Sequence, residues 1–250
     1  MTAATTASQP SAPHQPGAPA DGRSVRQMFD VIAPRYDAAN RIMSGGVDVF
    51  WRRKAIRRLL DGLGETPKLL DLGAGTLDGA LEIMRRAPGA RVLAADFARE
   101  MLRSGRGKLK TDELRARVVP QVADGQALPY ARAVFDGAFS AFCVRNIADL
   151  PRGMRELRRV VRPGGRIAIL EFFRPERPRL FFDKIYNAHI LPLLGWAVSG
   201  DREAYRYLPQ SIAGFRNGAE FAALLHEVGF ANVDVRPLFP AGVASLVVAS

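Results

Sequence analysis

Three aspartates that end successive apolar stretches are the residues best placed for ligand chemistry in this sequence. Asp71, Asp96 and Asp124 lie roughly 25 to 30 residues apart, and each closes or directly follows a short apolar run. Runs this short predict central strands of a parallel sheet. In such folds ligands bind at the carboxyl ends of the strands, where an acid can hold ribose hydroxyls or accept a hydrogen bond from an adenine amino group. Together the three aspartates predict a nucleotide-type site, although each alone could be an ordinary turn aspartate.

A glycine turn follows the first of these aspartates. Gly73 and Gly75 permit positive φ angles and a close approach of the backbone to a ligand, and the next helix offers free N–H groups. A dinucleotide-binding fingerprint needs a third glycine where this chain has Asp78. An acid shortly before the first glycine instead resembles motif I of the class I methyltransferases, which bind S-adenosylmethionine. An ordinary strand, turn and helix is the alternative for this stretch taken alone.

A second group of candidate residues follows the fourth predicted strand. Arg145 supplies a fixed cation, and Asn146 can both donate and accept a hydrogen bond. A buried structural ion pair is the alternative for Arg145. The stretch from Phe172 to Ala219 is too long for a connection and too aromatic for a linker, which predicts an inserted lid over an apolar ligand.

Strands and helices alternate around these residues, and this rhythm predicts a doubly wound α/β fold with a mostly parallel sheet. We expect helices over residues 25–33, 48–60, 77–86, 98–108, 150–161 and 219–228. We expect strands over residues 69–72, 91–96, 117–122, 134–139, 166–172, 231–237 and 242–249, the last two paired at the edge of the sheet. A turn at Pro163-Gly164-Gly165 separates the fifth strand from the helix before it.

The chain divides by composition into a tail and one domain. Residues 1–22 contain almost no large apolar side chains, so we expect a disordered tail. Residues 23–250 form a single domain, in which residues 23–66 are a helical arm and residues 173–217 are the lid inserted over the substrate.

Charge and residue counts limit the classes of function. The net charge of +11 and pI of about 10.6 favour anionic partners. The basic helix predicted over residues 48–60 could lie on an anionic membrane, but a helix packed on the domain with a solvated basic face is favoured. One cysteine and three histidines exclude a disulfide framework and argue against a metal site or a histidine triad. No apolar run is long enough to span a membrane, so we expect a cytoplasmic protein.

The chain resembles the ubiquinone/menaquinone-biosynthesis C-methyltransferase family from about Val25 to the C-terminus. The matching stretches are Phe29-Asp30-Val31-Ile32-Ala33-Pro34-Arg35-Tyr36-Asp37 with Asn40, Met43-Ser44, Leu70-Asp71-Leu72, Ala127-Leu128-Pro129, Val144-Arg145-Asn146, Arg162-Pro163-Gly164-Gly165, Leu170-Glu171-Phe172, Leu191-Pro192 and Tyr205-Arg206-Tyr207-Leu208-Pro209-Gln210-Ser211-Ile212. The sequence departs from the family at Leu77 and Cys143, where glycine is usual, and in its longer tail. Leu77 is expected to crowd the turn that admits the methionine part of the cofactor.

This resemblance implies methyl transfer from S-adenosylmethionine to a ring carbon of a demethylated polyprenyl quinol, with either a naphthoquinol or a benzoquinol ring. It also implies the class I methyltransferase fold, a seven-stranded Rossmann-like sheet with one antiparallel strand and helices on both faces. The alternatives are another small aromatic or lipid substrate and a catalytically silent relative. An RNA methyltransferase or nucleic-acid-binding module is disfavoured, because the tyrosines lie in the lid rather than beside the basic residues.

The resemblance also assigns site residues. Arg145 is expected to stabilise the phenolate or activate a water, and Asn146 to orient the ring oxygen. The residues expected to bind the cofactor are Tyr36, Asp71, Gly73, Gly75, Asp96, Asp124 and Gly125. The residues expected to contact the substrate are Trp196, Tyr205 and Tyr207. The expected partners are the polyprenyl quinol, the inner surface of an anionic membrane, at which the protein would be peripheral, and a second copy in a homodimer.

Overall fold

The computed structural model of this chain describes residues 22–176, 202–239 and 244–250. The predicted disordered tail, apart from Gly22, lies outside these residues, and so do Trp196 and much of the predicted lid. The side chains of residues 202–206 are also outside the description, so the substrate contact expected of Tyr205 stays a prediction.

Seven strands form one sheet in the order β3-β2-β1-β4-β5-β7-β6. They are β1 Lys68–Leu72, β2 Arg91–Asp96, β3 Val118–Val122, β4 Phe135–Ala141, β5 Val161–Glu171, β6 Val233–Pro237 and β7 Ser245–Ala249. Strand β7 runs antiparallel to both β5 and β6, while the other pairs are parallel. The predicted fold class is confirmed.

Helices surround this sheet. They are α1 Gly22–Ile32, α2 Tyr36–Ser44, α3 Val47–Leu60, α4 Asp78–Arg86, α5 Arg99–Arg106, α6 Asp112–Arg117, α7 Leu150–Val160, α8 Arg202–Ala213 and α9 Gly218–Glu227. Short 3-10 turns cover Ala33–Arg35 and Val144–Asn146. Among the described residues, no helix is both long and apolar enough to cross a membrane.

The helical arm and the connection before β3 differ from the sequence prediction. The helix predicted over residues 25–33 ends at Ile32, directly before a 3-10 turn in which Pro34 lies at the first positions, where its missing N–H breaks no bond. The helix α2, which follows this turn at once, was not predicted. The helix α6 was not predicted. It begins at a Thr111 cap whose Oγ1 accepts the Leu114 N–H at 3.2 Å, and the strand therefore starts at Val118.

The predicted turn Pro163-Gly164-Gly165 lies inside β5 instead of before it. The pairing of β5 with β4 begins at Val161, and the register then shifts between Phe135 and Gly137 of β4. Gly164 adopts a φ of 73° there, so the turn is an irregularity within a longer strand.

The basic helix α3 packs on the domain, as the favoured sequence interpretation expected. Its buried residues are Asp48, Trp51, Ala55, Ile56 and Leu59. Phe50, Arg53 and Arg57 recur at positions i, i+3 and i+7 and are exposed. Val49 and Leu60 are only partly buried.

Candidate functional site

A cavity of about 520 Å³ opens at the carboxyl edge of the sheet, within the usual range for small-molecule sites. The predicted site residues that line it are Tyr36, Gly73, Gly75, Asp96, Asp124, Gly125 and Asn146. Apolar side chains that were not singled out in the sequence complete the wall, among them Phe29, Phe97, Met101, Val122 and Phe142. The position of Phe97 directly after Asp96, which ends β2, is the signal that could have identified it.

Asp96 stabilises the glycine turn at the floor of this cavity. Its Oδ2 accepts the Gly75 N–H and its Oδ1 accepts the Ala98 N–H, each at 2.8 Å. Burial raises the pKa of Asp96 to about 6, against the lowering effect of these backbone donors. A carboxylate has about four lone-pair directions, more than the backbone donors around Asp96 occupy, so a ribose hydroxyl could also donate to it.

Gly73 is needed at its position for steric reasons. Its φ is 71°, and a Cβ atom built on it would lie 2.3 Å from the Cβ and Sγ of Cys143. Cys143, where the family usually has glycine, therefore fills space beside the turn and lines the cavity. Burial is the main cause that raises the pKa of its thiol, so the thiol stays protonated at neutral pH.

Leu77 does not narrow the cavity. Its side chain is fully buried between α4 and α5, where a Cβ on Gly105 would lie 2.6 Å from the Leu77 Cγ. The residue adopts the left-handed conformation with a φ of 68°, which costs a non-glycine residue about 1 to 2 kcal/mol. The expectation that Leu77 crowds the cofactor turn is wrong.

Asp71 lies beneath the turn and does not line the large cavity. It is 1% exposed and borders a second cavity of about 40 Å³, large enough for a few waters, together with Tyr36, Arg52 and Asp78. Its Oδ2 has no hydrogen-bond partner among the described residues. Burial raises the pKa of Asp71 from 3.8 to about 7.

Replacing Asp71 with asparagine is expected to flatten the pH dependence of stability. The folded state binds this proton more tightly than the unfolded chain, so the associated stability is present below pH 4 and is lost as the pH rises through about 7. Thermal unfolding of the ligand-free protein should show a smaller fall in Tm between pH 5 and 8 for Asp71→Asn than for the wild type. Asp112→Asn, at a fully exposed acid, is the control. An unchanged slope in Asp71→Asn would show that Asp71 does not titrate in this range.

A network of ion pairs holds the helical arm, which carries Tyr36, beside the large cavity. Lys108 Nζ contacts carboxylate oxygens of Asp37 and of Asp78, the latter at 2.6 Å, and the Thr76 hydroxyl donates to Asp37 Oδ1. Arg41 Nη2 donates to Asp78 Oδ2 at 2.9 Å. These contacts join the arm to the glycine turn and to α4, so Tyr36 is brought over the cavity.

Arg145 forms the buried ion pair that was the alternative in the sequence interpretation. Its Nη1 lies 2.7 Å from Oε1 of Glu171, which is fully buried at the end of β5, and only 7% of the Arg145 side chain is exposed. The same nitrogen donates to the Phe142 carbonyl at 2.9 Å, and Nε donates to Ser211 Oγ at 3.3 Å. Arg145 does not line the large cavity.

Asn146 is the residue of the pair that reaches the cavity. Its Oδ1 accepts the Tyr207 hydroxyl at 2.9 Å, and its Nδ2 makes only a long 3.5 Å contact with the Phe142 carbonyl. Burial raises the pKa of Tyr207, so its hydroxyl remains protonated and donates. Because Oδ1 of Asn146 accepts the bond from Tyr207, the N–H groups of the amide are the part left to face the cavity. Asn146 can therefore donate a hydrogen bond to an anionic oxygen of a ligand.

This chain is similar to one protein family and to named members of it over most of its length. Residues 18–249 match the ubiE/COQ5 methyltransferase family. The demethylmenaquinone methyltransferase of Thermus thermophilus is 43% identical over 81% of this chain and 91% of its own length. The ubiquinone/menaquinone biosynthesis C-methyltransferase UbiE of Geotalea uraniireducens is 38% identical over 85% of this chain and 90% of its own length.

Solved structures share the fold. Phosphoethanolamine N-methyltransferase 2 of Haemonchus contortus, solved in complex with S-adenosyl-L-methionine, superposes with a TM-score of 0.60 at 16% identity. The match covers 79% of this chain and 51% of that one. At this identity the likeness concerns the fold alone.

Proposed function

The chain belongs to the ubiE/COQ5 methyltransferase family, and we propose that it methylates a ring carbon of a demethylated polyprenyl quinol with S-adenosylmethionine as the donor. The family predicted from the motifs is confirmed. The names of the two relatives above state the class of substrate. The name of the first refers to demethylmenaquinone alone, and the name of the second refers to the biosynthesis of both ubiquinone and menaquinone. The observation within this chain that supports the proposal is one cavity lined by Gly73, Asp96 and Asn146.

The residues around the cavity fit the cofactor. The Gly73–Gly75 turn allows backbone approach, Asp96 and Asp124 offer carboxylates to ribose and adenine, and Phe97 and Met101 supply apolar walls. When bound, S-adenosylmethionine supplies an electrophilic methyl group. Tyr36 adds a hydroxyl that burial keeps protonated by raising its pKa. Asp71, which does not line this cavity, is assigned to the floor of the turn.

Asn146 is assigned to the quinol oxygen. A quinol carbon becomes a better nucleophile as negative charge develops on the adjacent hydroxyl oxygen, and a fixed donor at that oxygen stabilises the charge. Tyr207 holds the Asn146 amide with its N–H toward the cavity, so Tyr207 is a positioning residue. The predicted contact between Arg145 and the phenolate receives no support, because Glu171 neutralises Arg145 outside the cavity. We assign Arg145 to holding the turn that carries Asn146.

A membrane-facing surface accounts for access to a polyprenyl substrate. Phe50 and Phe239 are 57% and 82% exposed. Trp51, which follows Phe50 in α3, donates its Nε1–H to the Phe239 carbonyl at 2.6 Å and so joins the two segments that carry these phenylalanines. Arg53 and Arg57 continue the exposed face of α3. Apolar side chains beside cations favour an anionic lipid surface. The predicted homodimer stays a prediction.

Calorimetric titration with S-adenosylmethionine and a methyl-transfer assay on quinols in anionic vesicles test this function. We expect micromolar cofactor binding that Asp96→Ala abolishes and the exposed Asp112→Ala leaves unchanged. Phe50→Ser combined with Phe239→Ser should raise KM for vesicle-borne quinol about tenfold or more without changing cofactor binding. The methyl-transfer assay is run once with a naphthoquinol substrate and once with a benzoquinol substrate. Cofactor binding without transfer to either ring would reject the quinol proposal.

A further inference from the structure

A groove rich in arginine runs along the outer face of α7, apart from the methyl-transfer cavity. Its volume is about 890 Å³, and it lies between residues 126–133, α7 and the chain just after α9. Among the described residues, Gln126 alone lines both the groove and the large cavity. The arginines that line it are Arg132, Arg152, Arg155, Arg158 and Arg159, and Glu156 is the acid in its wall.

The floor of this groove is fixed by Arg159. Its guanidinium makes two 2.7 Å bonds to Glu156, so the acid in the wall is neutralised. The same side chain donates to the carbonyls of Tyr130 and Leu128 at 2.7 and 3.0 Å, which joins the preceding loop to α7. Arg158 donates to the Gly229 carbonyl at 3.1 Å and closes the other side. These bonds join the chain on both sides of the groove to α7.

Three arginines of the groove remain available to a ligand. Arg132, Arg152 and Arg155 are exposed, and within the described residues none of them forms an ion pair with a carboxylate. Arg152 is close enough to Glu156 to help lower its pKa, but Glu156 already bonds to Arg159. Arg152 and Arg155 lie about 4.5 Å apart along the axis of α7, and Arg132 lies on the chain before this helix, so the three cations come from two segments that border the groove.

We propose that this groove binds an acidic polypeptide segment of another protein. Guanidinium groups suit carboxylates because their planar forks form paired hydrogen bonds. Aliphatic groups from Ala127, Leu128, Val161, Pro163 and Val228 also line the groove. An extended segment with acids at alternate positions, about 6.6 Å apart, would direct carboxylates to the arginines and small side chains to this aliphatic wall.

The chemistry of the groove disfavours other occupants. None of the described residues that line it is aromatic, so bases of single-stranded nucleic acid would find no stacking surface. None of the large apolar side chains that are exposed among the described residues lines the groove, so it lacks anchors that would insert into a lipid bilayer. The first 21 residues of this chain contain one acid, Asp21, and a second copy carries a net charge of +11, so neither supplies the required negative charge.

The test measures binding of a labelled peptide of about eight residues, alternating glutamate and alanine, to the full chain by fluorescence anisotropy. The triple variant Arg132→Gln, Arg152→Gln, Arg155→Gln should raise Kd at least about tenfold. The matched triple Arg91→Gln, Arg99→Gln, Arg106→Gln removes the same charge from exposed positions elsewhere and should change Kd less than about twofold. Glutamine in place of glutamate in the peptide should abolish binding.

Several results would overturn this proposal. The first is that the glutamate peptide does not bind to the wild type. The second is that both triple variants lose the same peptide affinity, and the third is that the glutamine peptide binds as tightly as the glutamate peptide. Binding of single-stranded RNA and of anionic vesicles is measured with the same variants. If the groove triple variant weakens binding of either one more than it weakens peptide binding, the groove is assigned to that ligand instead. Cofactor titration of both triples confirms folding, and the single variant Arg155→Glu repeats the test if the triple fails to fold. Because the groove lies outside the methyl-transfer cavity, failure here leaves the proposed function untouched.

Discussion

Replacing Asn146 with alanine is expected to lower kcat for methyl transfer by about 100- to 1,000-fold, the range found when one preorganised donor to a developing oxyanion is removed. The side chain lines the cavity, and its Oδ1 is occupied by the Tyr207 hydroxyl, so its N–H is the group offered to the substrate. Steady-state kinetics on a vesicle-borne quinol measures the effect, and the unfolding midpoint should not change.

Two further variants separate donation from packing. Asn146→Asp keeps the size of the side chain and the bond from Tyr207, but it replaces the N–H donor with an oxygen that repels a phenolate. It should be as inactive as Asn146→Ala, and a fully active Asn146→Asp enzyme would contradict the donor role. Tyr207→Phe should lower kcat by about tenfold alone and have little added effect in the Asn146→Ala background, because the two residues act as one unit.

Replacing Glu171 with alanine is expected to lower the free energy of unfolding by about 3 to 5 kcal/mol, because it leaves the buried Arg145 cation without its counter-charge. Glu171 also accepts the Phe172 N–H at 2.7 Å, a bond that Glu171→Gln can keep. The glutamine variant should therefore lose less stability than the alanine variant. Denaturant unfolding of both, with Glu113→Ala at an exposed acid as the control, measures the difference.

A double variant separates stability from activity at this pair. Arg145→Met combined with Glu171→Leu replaces both charges with apolar groups and should recover most of the stability lost in Glu171→Ala. Its activity should stay low, because the bonds from Arg145 to the Phe142 carbonyl and to Ser211, which hold the turn carrying Asn146, are absent. A double variant as unstable as Glu171→Ala would show that the buried pair is not the source of the loss.

Two local sequence patterns led to wrong predictions of secondary structure. The first helix ends before Pro34 as predicted, yet residues 34–47, which read as a connection, contain α2. Pro163-Gly164-Gly165 reads as a separate turn, yet β5 pairs with β4 on both sides of it. In each case the neighbouring segments decided the outcome, and they are not visible in the local sequence.

The sequence by itself determined the order of the strands and of most helices between them, the glycine turn and the placement of Asp96, Asp124 and Asn146 at one edge of the sheet. It could do so because the apolar runs set strand positions, and parallel strands bring their carboxyl ends together. Only the tertiary structure decided which polar side chains face the cavity. Arg145 is matched by Glu171 because β4 and β5 are neighbours, and Asp71 lies under the turn because α4 packs over it. Such pairings depend on contacts between distant segments, and residue spacing along the chain carries no record of them.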